Sequence, residues 1–273
     1  MTNFSGTFSG TMVKASLMLF GLCAVLGLPC QAQTPATDSG RKPVIVELFT
    51  AEGCSSCPPA EAMALRMEKQ PLPGIEMIVL EEHVDYWNQG GWIDPFSSGD
   101  WTARQKDYVS KLANGNPYTP EMVVDGQSQF AGNNGRDAQK AIEDAARGPE
   151  TDVTITDAKV DPKGADDFKI SVGKLEGNTA GDEAQVWVVV TEDGLHSAVS
   201  AGENAGHTLY HAAVVRYLHK VGAAQATGAM AFTGDARVKI KSSWKKENVS
   251  IVAFVQEKKS LKILGAASTK LTS

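Results

Sequence analysis

Apolar positions change period along this chain, and the changes mark its elements. Residues 44–49, Val-Ile-Val-Glu-Leu-Phe, form a nearly unbroken apolar run that predicts a buried strand. Residues 60–69 predict a helix carrying Met63, Leu65 and Met67 among alanines, stopped by Pro71-Leu72-Pro73-Gly74. Residues 75–80 are again a strand run, rich in Ile and Val, so strand, helix and strand read as a parallel βαβ unit. Residues 98–112 predict a second helix with Tyr108, Val109 and Leu112 on one side, ended by Asn114-Gly115-Asn116-Pro117. Met122-Val123-Val124 predicts a short strand, Asp125-Gly126 a hairpin turn, and Phe130 lies on the returning strand. Residues 134–147 predict a closing helix before Gly148-Pro149.

After Pro149 the period falls to two. Val153 and Ile155 alternate with threonines, and Phe168, Ile170 and Val172 alternate with polar residues, as do Val238 and Ile240. Residues 186–190 are a continuous valine-rich run, and residues 249–255 and 261–267, joined by Glu257-Lys258-Lys259-Ser260, predict a hairpin. Short alternating runs between Gly, Asp and Asn signals predict an antiparallel β-sandwich over residues 150–273. No internal repeat or low-complexity tract interrupts the pattern.

The N-terminus follows a different logic. Lys14 precedes an apolar stretch over residues 15–28, and Cys30-Gln31-Ala32 is a small-x-small site, so residues 1–32 predict a secretory signal peptide cleaved near Ala32. Met12-Val13-Lys14 makes a more usual opening than Met1. The apolar run is too short to span a membrane, and Pro29 before Cys30 and Leu22 before Cys23 disfavour a lipoprotein. Residues 33–42 are polar and read as a linker, leaving 43–148 and 150–273 as two domains. The expected location is the periplasm or the exterior, with no membrane span after cleavage. A net charge of -6 over 273 residues gives no footprint for nucleic acid.

Export changes the cysteine arithmetic. The chain has four cysteines, and Cys23 and Cys30 leave with the signal. Cys54 and Cys57 remain, in an oxidising compartment with no other internal partner. They stand between a predicted strand and a predicted helix, the context in which CxxC reads as a redox pair. A thiol at a helix start is held as an anion by unpaired N–H groups and the helix dipole. Cys54 would then attack and Cys57 resolve. An inert structural disulfide and half of a metal site remain open; in the metal reading Cys54, Cys57 and His83 would hold copper or another soft metal. Otherwise neither a metal nor another cofactor is expected.

Residues 81–96 are unusually aromatic and polar for a connection. They begin at the end of a strand, where open α/β sheets place their sites. Tyr86, Trp87 and Trp92 could wall the cysteines, or pack an Ω-loop by themselves. His207 and His211 are four apart and could form a metal pair, but read more simply as surface or half-buried histidines.

The run Val46-Glu47-Leu48-Phe49-Thr50-Ala51-Glu52-Gly53-Cys54-Ser55-Ser56-Cys57-Pro58-Pro59-Ala60 resembles domain-of-unknown-function family 1223, secreted bacterial proteins of thioredoxin-like fold. His83-Val84-Asp85-Tyr86-Trp87, Gly91-Trp92, Asp94-Pro95-Phe96, Arg104-Gln105, Tyr118-Thr119-Pro120, Gly202-Glu203-Asn204-Ala205-Gly206 and Val214-Val215-Arg216 look like the same family. The resemblance implies a thioredoxin-like α/β N-terminal domain, followed by the all-β sandwich-like C-terminal domain that the periodicity suggests. Thr119-Pro120 would be the X-cis-Pro strand start of such a fold, with the Thr119 backbone free to pair with a bound polypeptide. Glu47 resembles the buried acid that relays a proton to the resolving cysteine, one residue further from the CxxC than in thioredoxin. The expected function is an exported thiol-disulfide oxidoreductase acting on an unidentified thiol protein, polypeptide or small thiol. The alternative is a binding module in which the cysteines hold a metal or a permanent disulfide.

Overall fold

The computed structural model describes residues 40–70, 72–113, 115–160 and 165–271. The signal peptide expected over 1–32, and linker residues 33–39, lie outside the described residues. The first strand, β1 (Lys42–Thr50), is followed by helix α1 (Pro58–Lys69) and by β2 (Ile75–His83). β1 and β2 pair in parallel, with Val44 opposite Met77 and Thr50 opposite His83. Helix α2 (Gly99–Tyr108) starts at Ser98, whose hydroxyl accepts the Asp100 N–H as an N-cap. The hairpin of β3 (Glu121–Val124) and β4 (Ser128–Ala131) lies antiparallel on β1, and α3 (Gly135–Ala146) follows, capped by Asn134.

The rest of the chain is strands: β5 (Val153–Val160), β6 (Ala165–Gly173), β7 (Ala184–Glu192), β8 (His196–Ala198), β9 (Thr208–Tyr210), β10 (Val214–Ala224), β11 (Met230–Lys239), β12 (Val249–Glu257) and β13 (Ile263–Lys270). The principal sheet is mixed and has eight strands, in the order β13-β12-β7-β10-β2-β1-β3-β4. Its two halves meet where Val214 of β10 pairs in parallel with Glu81 of β2. β11, β6 and β5 form a second sheet, and β8 and β9 a separate two-stranded ribbon.

This overturns the expected fold class. The protein is mostly β, organised on one large mixed sheet with a few helices, and not on a thioredoxin-like α/β N-terminal domain followed by a sandwich. The described residues belong to one compact unit.

Burial explains why the sheet runs through. In β7, Val186, Val188 and Val190 face Phe168, Ile170, Val172 and Val238, in a core shared with Ile251, Ala253 and Val255 of β12. The opposite face of the same strands places Val189, Val252 and Phe254 in another core, with Ile45, Ile78, Leu80 and Trp101 of α2. A strand covered on both faces needs apolar residues at consecutive positions, and residues 186–190 supply them. On the other face of β1, Val44, Val46 and Leu48 pack against Ala60 and Met63 of α1 and Ala138 and Ile142 of α3. No helix among the described residues is long and apolar enough to cross a membrane.

Candidate functional site

β1 ends at Thr50, and the chain turns through residues 51–57 into α1. Cys57 is the N-cap of α1, and Pro58 and Pro59 open the helix, where proline loses nothing by lacking an N–H. Cys54 lies in the turn before it. Its N–H donates to the Ala51 carbonyl and its carbonyl accepts from Cys57. The two cysteines form a disulfide, with Cα atoms 5.4 Å apart.

Two expectations about reactivity meet this geometry. The helix start belongs to Cys57, not Cys54. Its first turn also has few free donors. Pro58 and Pro59 have no N–H, and those of Ala60 and Glu61 both donate to the Cys57 carbonyl. The helix dipole therefore remains as the main stabiliser of a thiolate at Cys57. Access is the second point. Neither cysteine has exposed surface, whereas Ser55 and Ser56 between them are exposed.

The cover comes from both halves of the chain. Asn204, in the loop between β8 and β9, donates through one amide nitrogen to the Glu52 carbonyl (2.8 Å) and the Cys54 carbonyl (3.0 Å). Glu203 accepts the Ser55 N–H. Trp87 lies so close over Gly53 that an added Cβ would sit 3.3 Å from the Trp87 Cβ and carbonyl oxygen. The Trp87 indole N–H donates to the Thr119 hydroxyl (2.8 Å), and that of Trp92 to the Glu52 carboxylate (2.7 Å). Tyr86 donates to Gln105. The Thr119-Pro120 peptide is cis. Pro120 lies near the start of α1, since a Cβ on Gly132 would touch both Pro120 and Ala60.

Below the turn lies a buried cluster of carboxylates and histidines at the end of β2. His83 Nδ1 is 2.7 Å from Asp94, and His211 bridges Glu52 through Nε2 and Glu81 through Nδ1, each at 3.0 Å. The second Glu81 oxygen accepts the Ala212 N–H. Glu61 of α1 accepts from Thr50. One ligand atom each from Glu81, His83 and His211 lie within 4.8 Å of one another. Burial pushes both imidazoles down, but the carboxylates around them win. Asp94 and Glu81 hold His83 well above its usual range, and hydrogen bonds to Glu52 and Glu81 hold His211 at about 9. Burial, reinforced by the charge on Glu81, raises Glu61 to about 7.

Glu47 sits in a second buried network. Arg104 donates to it at 2.5 Å and so does the Tyr108 hydroxyl, which in turn accepts from Gln256. Arg104 also reaches Glu82 at 3.4 Å, and burial followed by the charge on Glu47 raises Glu82 well above its usual range. The Glu47 carboxylate is thus held by Arg104 and Tyr108, although the Tyr108 ring packs in one apolar cluster with Cys54 and Cys57. His83 is held by Asp94 and Glu81, while the two sulfurs are bonded to each other. The structure therefore brings Cys54, Cys57, Trp87, Thr119 and Pro120 together, and assigns Glu47 and His83 to separate networks.

Sequence reasoning missed Glu52, Glu61, Glu81, Asp94, Asn204 and His211 as one constellation. A signal existed in Glu81-Glu82-His83, three ionisable residues prolonging an apolar strand with no alternation to carry them outward. His211 is flagged by its spacing from His207, the wrong partner, and Asn204 by its family-like run, but only tertiary pairing of β10 with β2 brings them into this cluster. His207 is exposed and His211 is buried, so the two do not share an environment.

The fold is mostly β, and its CxxC turn lies against buried histidines and carboxylates. The family described as "Protein of unknown function (DUF1223)" matches residues 45–256, and the chain belongs to it. No curated protein matches. Among solved structures, one from Agrobacterium tumefaciens, determined by a structural genomics consortium, is 23% identical with a TM-score of 0.62, over 84% of this chain and 95% of that one. HBP35 of Porphyromonas gingivalis is 18% identical with a TM-score of 0.63, over 85% of this chain and 76% of that one. At these identities the likeness is one of fold.

Proposed function

We propose that Cys54 and Cys57 form a dithiol–disulfide couple that exchanges with thiols of a polypeptide or small-molecule partner outside the cytoplasm. One observation carries the reading: the two cysteines are joined at the start of α1 beside Thr119-Pro120, with no other cysteine among the described residues. A partner thiolate attacks the Cys54 sulfur, the S–S bond breaks, and Cys57 leaves as a thiolate at the helix N-cap. A second partner thiolate then attacks the mixed disulfide at the partner's sulfur. The partner leaves as a disulfide, and Cys54 and Cys57 become thiols on taking up two protons. The reverse sequence reduces a partner disulfide: the Cys54 thiolate attacks it, and Cys57 resolves the mixed disulfide as the Cys54–Cys57 bond re-forms.

Because both sulfurs are covered, exchange follows displacement of the Asn204 loop or of Trp87. Trp87 and Trp92 would then border the opening, with Tyr86 at its edge and Ile93, 74% exposed, beside it. The Thr119 backbone would pair with the partner chain. A proton relay by Glu47 would run through Tyr108, whose hydroxyl donates to Glu47 and whose ring shares an apolar cluster with the cysteines. The test is reduction of the wild-type disulfide by a dithiol of known potential, followed by transfer to a disulfide substrate. Wild type should turn over, and Cys54→Ser and Cys57→Ser should not. A wild type whose disulfide stays intact under native reducing conditions would leave the pair a structural staple.

A further inference from the structure

The His83 ring poses a problem that the disulfide does not address. The ring is fully buried, yet its Nε2 has no hydrogen-bond partner. An orphaned buried nitrogen loses its hydration without a replacement, so it calls for an explanation. It lies 3.3 Å from Glu81 Oε1 without hydrogen-bond geometry. The same Glu81 oxygen is 3.0 Å from His211 Nδ1. Two imidazole nitrogens from separate segments therefore converge on one carboxylate oxygen, and the rings stand nearly perpendicular with centroids 4.7 Å apart.

We infer that Glu81, His83 and His211 form a binding site for a first-row divalent transition metal. The ligand nitrogens are His83 Nε2 and His211 Nδ1, and Glu81 supplies the oxygen. Metal-bound histidines usually donate the other ring N–H to a carboxylate, which fixes ring orientation and raises ligand basicity. Both rings have that partner here: Asp94 at His83 Nδ1 and Glu52 at His211 Nε2. Bonds of about 2.1 Å in a tetrahedral site put neighbouring ligand atoms about 3.4 Å apart. The two contacts to Glu81 are already near that separation, and the imidazole nitrogens would need to close from at most 4.8 Å. Glu61 Oε2, 3.9 Å from His211 Nδ1, is a candidate for a fourth ligand. A set of two imidazoles and carboxylate oxygen suits zinc, iron(II), cobalt or nickel better than magnesium or calcium, which take oxygen alone. This site does not use the sulfurs, so it stands or falls apart from the exchange reaction.

The test uses protein stripped with a chelator and dialysed, then titrated with Zn²⁺ by calorimetry and with Co²⁺ by visible absorption. One equivalent of each should bind, with cobalt bands of a four- or five-coordinate N/O site. His83→Gln and His211→Gln should each weaken Zn²⁺ binding by more than 100-fold, and Asp94→Asn by about 10–100-fold. The Cys54→Ser, Cys57→Ser double variant should bind as wild type does. Because buried substitutions can unfold the chain, imidazole nitrogen resonances of wild type are followed in parallel. Zn²⁺ should shift His83 Nε2 and His211 Nδ1. Absence of binding to folded wild type, shifts confined to His196, His207 and His219, or binding lost only in the cysteine variant would each overturn the site.

Discussion

Asn204→Ala tests whether the loop between β8 and β9 gates the disulfide. Asn204 is buried and its amide makes two hydrogen bonds, to the carbonyls of Glu52 and Cys54. Each contributes about 1 kcal/mol net. When the loop lifts, water can satisfy both carbonyls, so the open state loses little from the substitution while the closed state loses both bonds. The opening free energy should fall by about 2 kcal/mol, which multiplies the open population roughly 30-fold. If opening and closing are fast relative to attack, the rate tracks that population, as it does for proteolysis of transiently opened states. Native-state reduction by dithiothreitol, followed by trapping and mass analysis, should therefore accelerate about 10–30-fold. Global stability should fall by a similar 2 kcal/mol, well inside the usual 5–15 kcal/mol. If urea unfolding registers that loss but the reduction rate stays at the wild-type value, this loop is not the gate.

Three further perturbations probe the frame around the site. Arg104→Met strands Glu47 and Glu82 as buried, unpaired acids and should cost about 3–5 kcal/mol by urea denaturation; adding Glu47→Gln should recover much of it, and a single-variant loss below about 1 kcal/mol would contradict the network. Asp125, which accepts the Ile45 N–H, is pushed by burial to about 7. A raised folded-state value favours the protonated form, so its contribution is complete below about 4 and is lost as pH rises through 7. Asp125→Asn should flatten that part of the thermal-stability profile and gain on wild type at pH 8, by at most about 4 kcal/mol; parallel profiles from pH 4 to 8 would refute the assignment. Gly265 in β13 faces the Thr151 carbonyl so closely that an added Cβ would lie 1.9 Å from its oxygen. Gly265→Ala must shift backbone and should lower stability by on the order of 3 kcal/mol, read by chemical denaturation; an unchanged midpoint would mean that β13 is free to move.

Much of the site's local chemistry was readable early. Cys54 and Cys57 after a buried strand, followed by two prolines, marked a turn into a helix because few other structures accept that order of residue types. Thr119-Pro120 could be tied to the cysteines by resemblance. The Trp87 and Trp92 pair was visible as aromatic excess, but whether it walled a site or packed a loop depended on distant partners, Thr119 and Glu52. The buried partners of His83 and Glu47 were hidden for the same reason. Glu81 pairs in β2 with Leu48 of β1, next to Glu47, yet its side chain meets His211, 130 positions further along the chain.

The sequence alone determined the local periods: a helix where residues 60–69 mix alanine and methionine, and strands where valine and isoleucine alternate or run together. Those follow from backbone sterics and from which face must leave water, both short-range effects. The tertiary structure decided that β10 would join β2, extending one sheet across the chain instead of closing two separate layers. A single pairing near Glu81 and Val214 made that choice, stabilised by apolar residues on both faces of β7 and β12. Such pairing depends on contacts distant in sequence, whose gain appears only once the loops between them have closed. The buried acid–histidine cluster exists because of that junction: Glu81-Glu82-His83 marks a polar end to a buried strand, but no local pattern shows that His211 meets it there.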